Sequence, residues 1–390
     1  MSVPEYAFMQ LFPSPAWTHG RKSAASRGGA RQTIARLLRE GGIQIDGRNV
    51  WDIRVLDERF YDRVLANGSL GLGEAYMDGW WEARDLDGFI FRLLNARLDQ
   101  RVWSWRDALA WGVAALSNLQ RVSRAFQVGE RHYDLGNEFY EGMLDRRMIY
   151  SCAYWDNATT LDEAQEAKLD LVFGKLGLEA GQRVLDVGCG WGGALRYAVE
   201  RHGVSGVGVT IAREQAKYAR KKCAGLPIEI RLQDYRSLGN TFDHIYSIGM
   251  FEHVGVRNYR TYMEVMRRCL RPGGRFLLHT IGGFESTNHI DPWMNKYIFP
   301  NAVLPSQQQI VRAIDGLFTV DGWQRIGPHY DPTLLAWRAN FERFWAHGKH
   351  RFDERFRRMW LFYLSACAAS FRARTMDVWQ VLLAPVGRGA

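Results

Sequence analysis

The sequence predicts an α/β protein: a doubly wound, mostly parallel sheet preceded by a small, mainly helical unit. Three observations predict it. Apolar runs alternate with helical segments from Arg183 to Thr280, a glycine-rich turn follows the first run, and no such alternation precedes it. A chain of 390 residues also exceeds one ordinary domain.

Residues 1–30 carry Pro13, Pro15, Ser23, Ser26 and Gly28-Gly29 and are expected to form a poorly ordered leader. A helical accessory unit is expected over 31–120. Thr33 to Leu38 opens an amphipathic helix that Gly41-Gly42 stops, and Trp51 to Val55 reads as a short strand. Gly68 to Gly73 reads as a turn before the aromatic group Tyr76, Trp80 and Trp81, and Phe89 to Leu94 as a helix. A polar linker is expected over 121–130, with the second unit from 131 to 390. There the strands are Arg183–Val187, Gly206–Thr210, Ile228–Leu232, Phe242–Ile248 and Gly274–Thr280. The helices are Ala194–Arg201, Ala212–Cys223 and Tyr259–Leu270, with Pro272-Gly273-Gly274 a tight turn. The tail from Leu334 to Leu383 reads as helical and aromatic.

Composition narrows the function. Lys and Arg outnumber Asp and Glu by 51 to 42, giving a net charge of +9, which suits anionic partners or serves solubility alone. The runs Arg213 to Lys222 and Arg351 to Arg358 read as solvated helix faces. Aromatic residues reach 13%, with 15 Trp, which suits lipid chains or a cation as well as core packing. The five cysteines show no Cys-x-x-Cys spacing, so neither structural zinc nor a disulfide framework is expected. No export signal is evident, and the apolar stretch Ala108 to Leu116 is too short to span a bilayer. A cytoplasmic location follows as the expectation.

In an open α/β sheet the ligand lies beyond the carboxyl ends of the strands. Gly188, Gly190 and Gly192 follow the first strand in Gly-x-Gly-x-Gly spacing, which tilts a nucleotide-type site toward S-adenosylmethionine. Such a turn also serves as a plain strand–helix connector. Thr210 stands where an acidic ribose clamp is usual, with Gln215 able to compensate. Asp234 suits an adenine amino group and Tyr235 a stacked base, or Tyr235 simply packs. Glu252 is expected to point into the cleft and His253 away from it, with no metal bound. His279 reads equally as a buried structural histidine, and Cys152 as a nucleophile or a small buried hydrophobe.

Several long motifs occur together and in order: His132 to Asn137, Tyr150 to Trp155, the glycine turn, Phe251 to Gly255, Asp291 to Trp293 and Lys296 to Pro300. With these the chain resembles the cyclopropane-fatty-acyl-phospholipid synthases, from about Asp52 to Gln380 and including Phe371 to Arg374. The resemblance implies a class I S-adenosylmethionine-dependent methyltransferase (Rossmann-like) fold with a helical lipid-binding N-terminal domain. Methylene transfer to the cis double bond of membrane phospholipids is the implied reaction. It further implies a bicarbonate ion held by Cys152, Glu252, His279, Ile281 and Tyr330. Tyr330 rests on the weakest match, since its flanks differ. Cofactor contacts would come from Tyr150, Ser151, Val184, Asp186, Gly188, Cys189, Gly190, Trp191, Gly192, Thr210, Ile211, Gln215, Asp234, Tyr235 and Arg236. A homodimer on the inner face of the cytoplasmic membrane, probing an anionic surface, is the implied setting. A lipid methyltransferase giving methyl-branched or mycolic-type products is the nearest alternative. A nucleic-acid methyltransferase lacks an RNA-binding module or base-flipping motif to support it.

Overall fold

A computed structural model describes residues 24–98, 135–348 and 350–387. The chain opens with α1 (Ala24–Glu40), which starts ahead of the expected Arg31 and buries Ile34 and Leu38. Strand β1 (Ile53–Val55) follows, then α2 (Arg59–Met77), β2 (Trp81–Ala83) antiparallel to β1, and α3 (Leu86–Asn95). The expected turn at Gly68 to Gly73 is instead the second half of α2. Gly68 kinks the helix at φ 53°, ψ −130°, and the chain resumes its coil. Glycine there answers a packing demand: a Cβ on Gly73 would run into the Trp293 ring. The expected 121–130 linker lies outside the described residues, as do His132 to Asp134.

From α4 (Asn137–Met143) and α5 (Leu161–Leu176) the chain enters the sheet. Thr160 and Glu163 form a reciprocal cap at the start of α5. Then come β3 (Arg183–Val187), α6 (Gly193–His202), β4 (Ser205–Thr210), α7 (Arg213–Lys222), β5 (Ile228–Leu232) and β6 (Phe242–Ile248). After α8 (Tyr259–Cys269) comes β7 (Leu270–Gly283), then α9 (Pro292–Tyr297), α10 (Gln307–Ile314), β8 (Phe318–Arg325), α11 (Tyr330–Ala346), α12 (Glu354–Arg372) and β9 (Met376–Pro385).

The sheet order is β5-β4-β3-β6-β7-β9-β8. Its first five strands are parallel neighbours, and β9 runs antiparallel between β7 and β8. Pro272-Gly273-Gly274 is a bulge inside β7 and not a turn: Phe242 pairs with Leu270, and pairing resumes at His244 with Arg275. The end of the expected helical tail is strand β9. Val378, Trp379, Val381 and Leu383 are all fully buried there, so both faces are covered and no alternation marks it as a strand.

The N-terminal helices share one apolar cluster with α11 and α12, in which Phe60, Trp81 and Phe89 join Trp337, Trp360 and Phe371. Ion pairs stitch the same seam. Asp87 of α3 meets Arg338 at 2.5 Å and Arg372 at 2.9 Å, and Arg372 also reaches Asp331 at 2.9 Å. The basic run Arg351 to Arg358 is not a solvated face throughout. Arg355 pairs with Asp78 at 2.9 Å, and Arg358 donates to the backbone carbonyls of Tyr76 and Trp81.

Candidate active site

The carboxyl ends of β3, β4, β5, β6 and β7 meet at one edge, as parallel topology requires. Gly188 and Cys189 donate their N–H groups to the Val209 carbonyl, so the turn after β3 grips the end of β4. Gly188 sits at φ 90°, a conformation that side chains strain to adopt, and leads the backbone round to α6. Trp191 Nε1 donates to Asn137 Oδ1 at 2.8 Å, tying this turn to the start of α4.

A cavity opens over that turn. Its walls include Tyr150, Ser151, Asp186, Gly188, Cys189, Gly190 and Trp191 from the first half of the unit. Thr210, Ile211, Gln215, Asp234, Tyr235 and Arg236 complete it. Two expected contacts fall elsewhere. Gly192 faces Ala219 and Cys223 of the α7 region, which a Cβ on it would crowd, and Val184 is fully buried in the core beneath. Thr210 Oγ1 donates to Gln215 Oε1 at 3.1 Å and accepts from the Ala212 N–H at 3.2 Å. The two residues expected to share the ribose position therefore act as one bonded pair. Asp234 caps the turn over Tyr235–Ser237 by accepting from the Arg236 N–H at 2.9 Å, and it also pairs with the Arg236 side chain. Tyr235 presents its edge to Tyr262, ring centroids 5.0 Å apart, as a wall of the cavity. Burial pushes the Asp186 carboxyl up to about 7.

A larger cavity of about 810 Å³ adjoins the first. Cys152, Glu252, His279, Ile281 and Tyr330 all line it, so residues scattered over the sequence converge on one space. Glu252 and His253 sit on a tight turn, Phe251–His253, just past β6. Both border the cleft: His253 lines both cavities and does not pack away. Three residues per turn fan adjacent side chains widely, and both stay within reach of the sheet edge. Burial lowers His253 to about 4, so its ring is neutral.

Glu252 Oε1 accepts the Ile281 N–H at 2.6 Å, while its buried Oε2 has no partner among the described residues. Burial raises this carboxyl to about 7. An unmatched buried acceptor invites a ligand that carries a proton. Because Ile281 spends its N–H on Glu252, its own contribution to the wall is the apolar side chain. Cys152 is fully buried, and burial pushes its thiol far up, so it is a neutral group at this wall. Tyr330, at the start of α11, lies 4.6 Å ring to ring from Phe371.

The segment carrying Tyr150 to Trp155 separates the two cavities, and its position is fixed from both sides. Thr333 Oγ1 accepts from the Ala153 N–H and from Trp155 Nε1, and His329 Nδ1 accepts from the Trp155 N–H. From below, α5 sends up Lys168, whose Nζ donates to Ser151 Oγ at 2.8 Å, and Gln165, which donates to the Ser151 carbonyl at 2.9 Å. Both side chains are fully buried. Among the described residues no group of three or more His, Cys, Asp or Glu side chains is placed to hold a metal.

Set against known proteins, this arrangement finds close counterparts. Residues 120–381 match the family described as mycolic acid cyclopropane synthetase. The cyclopropane-fatty-acyl-phospholipid synthase of Escherichia coli is 50% identical over 347 residues, covering 89% of this chain and 91% of that protein. The chain belongs to the mycolic acid cyclopropane synthetase family. It is accordingly an S-adenosylmethionine-dependent methyltransferase of the class I fold. The tuberculostearic acid methyltransferase UfaA1 of Mycobacterium tuberculosis is 33% identical, over 82% of this chain and 79% of that one. Among solved structures, the mycolic acid cyclopropane synthase CmaA1 complexed with SAH and CTAB superposes with a TM-score of 0.62 at 34% identity. That match covers 66% of this chain and 97% of that one.

Sequence reasoning missed several residues that line or support these cavities. Lys168, Gln165 and Thr333 support the dividing segment from helices whose amphipathic pattern hides single polar groups. Phe299 lines both cavities, and Tyr363 donates or accepts at 2.8 Å with the Tyr150 hydroxyl. The available signal for Tyr363 was the aromatic tail, which reads first as core.

Proposed function

We propose that this chain transfers a methylene group from S-adenosylmethionine to the cis double bond of unsaturated acyl chains in membrane phospholipids, closing a cyclopropane ring. The observation that carries this reading is the junction of the two cavities. Tyr150, Ser151, Gly249, His253 and Phe299 line both, so a methyl group bound in the first faces a chain bound in the second. The named activity of the Escherichia coli relative supports the same substrate class.

At that junction the alkene π pair forms a bond to the methyl carbon, and the carbon–sulfur pair leaves with sulfur, which becomes neutral. The dividing segment, clamped by Thr333, His329 and Lys168, holds the two reactants in line at close range. A cation then resides on the lipid chain. Tyr150, Phe284, Phe299, Tyr330, Tyr363 and Phe371 line its cavity and offer aromatic faces to stabilise it. Loss of a proton from the delivered methyl lets that C–H pair close the ring. Bicarbonate, when bound, would be held by Glu252, His279 and Tyr330, with Cys152 and the Ile281 side chain closing the wall around it, and would supply the base for that proton. Glu252 Oε2 supports it as the waiting acceptor. The apolar walls keep water from trapping the cation as an alcohol.

No described helix is long and apolar enough to cross a membrane. The proposed reaction has the substrate reached at the membrane surface, with the net charge of +9 favouring an anionic one. A homodimer on the cytoplasmic face is the setting the resemblance implies. Incubation with vesicles of unsaturated phospholipid and labelled adenosylmethionine tests the reading. Label should enter the lipid with a gain of one methylene and loss of the alkene proton signals. Branched saturated or hydroxylated chains, or unlabelled lipid, would refute it.

A further inference from the structure

His279 has support behind it that the chemistry above does not use. On β7 its ring is 2% exposed and lies opposite Gln380 of β9 in register. Gln380 Nε2 is 3.3 Å from His279 Nδ1, and Gln380 Oε1 accepts from Lys175 Nζ at the end of α5. An ammonium group only donates, so the end of the amide facing Lys175 must be its oxygen. The amide nitrogen then faces the ring, and it too only donates. Nδ1 is therefore the acceptor. Burial, reinforced by the charges of Lys168 and Lys175, holds His279 well below the usual imidazole range, so the ring is neutral. A neutral ring with an accepting Nδ1 carries its proton on Nε2. That nitrogen has no partner among the described residues, and the ring lines the larger cavity.

We propose that Lys175 and Gln380 are positioning residues that lock His279 in its Nε2–H tautomer, aiming a hydrogen-bond donor at an oxyanion in the cavity. The buried Glu252 Oε2 supplies the opposite character, an acceptor. Donor and acceptor on one cavity suit an anion with bare oxygens and one hydroxyl, which is bicarbonate. This last step rests on the function proposed above; the tautomer lock does not. Outer partners of this kind fix ring orientation in other histidine sites by the same donor logic.

Nitrogen NMR of the full-length, ligand-free protein with labelled histidine tests the lock, with His279 assigned by the signals lost in His279→Gln. The wild type should show a protonated Nε2 and a bare Nδ1 at neutral pH. In Gln380→Glu the carboxylate accepts from both Lys175 and the ring, so the proton should move to Nδ1. Bicarbonate, titrated against these signals, should then bind about ten-fold more weakly, as expected for a lost hydrogen bond to a charged group. Lys175→Met frees the amide to flip and should give a mixture of tautomers, whereas Lys175→Arg keeps a donor and should restore the wild-type pattern. The Lys175 pair carries the test if Gln380→Glu does not fold. A protonated Nδ1 in the wild type, or an unchanged tautomer in both Gln380→Glu and Lys175→Met, would overturn the lock. A wild-type Nε2–H ring that ignores bicarbonate would keep the lock and remove the bicarbonate assignment.

Discussion

At Glu252 one carboxylate oxygen is spent on the Ile281 N–H while the other is buried without a partner among the described residues. That asymmetry is what separates this residue from an ordinary buried acid. Glu252→Gln keeps the volume and removes an acceptor, so turnover should fall by about 100-fold or more while adenosylmethionine binding, read by calorimetry, stays near wild type. Turnover close to wild type would mean that Glu252 holds nothing. The same residue sets a pH dependence. Its folded carboxyl is raised to about 7 from an ordinary 4.5, so its contribution to stability is complete below about 4.5 and is lost as pH rises through about 7. Glu252→Gln has no such loss. The variant should gain on the wild type by about 3 kcal/mol between pH 4.5 and pH 8 in denaturant unfolding of the ligand-free protein. Taking the difference cancels the opposing titration of His253, which is lowered to about 4. The motifs single out Cys152, Glu252, His279, Ile281 and Tyr330, and these five line one cavity. Their supporters were not. Gln380 sits in a strand that reads as helix, and Lys168 on a helix where a lysine ordinarily signals solvent.

Among the elements, the parallel strands β3 to β7 were legible because apolar runs alternate with capped or glycine-stopped helices. Strand β9 was hidden because both of its faces are buried, which erases the period of two. The α2 kink was misread for a related reason. Glycines usually mark turns, but here Gly68 takes the bend and Gly73 admits the Trp293 ring from α9. Gly73→Val would force that ring aside and should cost about 1–3 kcal/mol, as overpacking typically does. Thermal unfolding checks it: a melting temperature equal to wild type would place no contact between α2 and α9 at this position. The motif Asp291-Pro292-Trp293 then has a structural use as well. Asp291 caps α9 by accepting from the N–H groups of Trp293 and Met294 at 2.9 and 3.0 Å, which sets the indole against α2.

Over the whole molecule, the N-terminal helices are not simply attached to the catalytic unit. They complete an aromatic core with α11 and α12, and those two helices also line the larger cavity through Tyr330, Tyr363 and Phe371. The N-terminal helices and the larger cavity are thus joined through shared packing, which no local motif announces. Arg97 and Arg374 line the same cavity and are exposed, so under the proposed function they would meet an anionic headgroup. Association with anionic phospholipid vesicles should accordingly weaken as salt rises from 0.05 to 0.5 M, roughly the range over which screening shortens from beyond to within ~10 Å. Sedimentation with neutral and anionic vesicles reads this, and salt-independent binding would point to apolar insertion alone. The most direct test of the central claim uses adenosylmethionine whose methyl group carries deuterium in place of hydrogen, given with unsaturated phospholipid vesicles. Methylene transfer predicts a product that has lost its alkene signals and retains all but one of the methyl deuterons, with the upfield proton or deuterium signals of a cyclopropane. Lipid that keeps every deuteron on a methyl branch, or that gains none, would contradict the account.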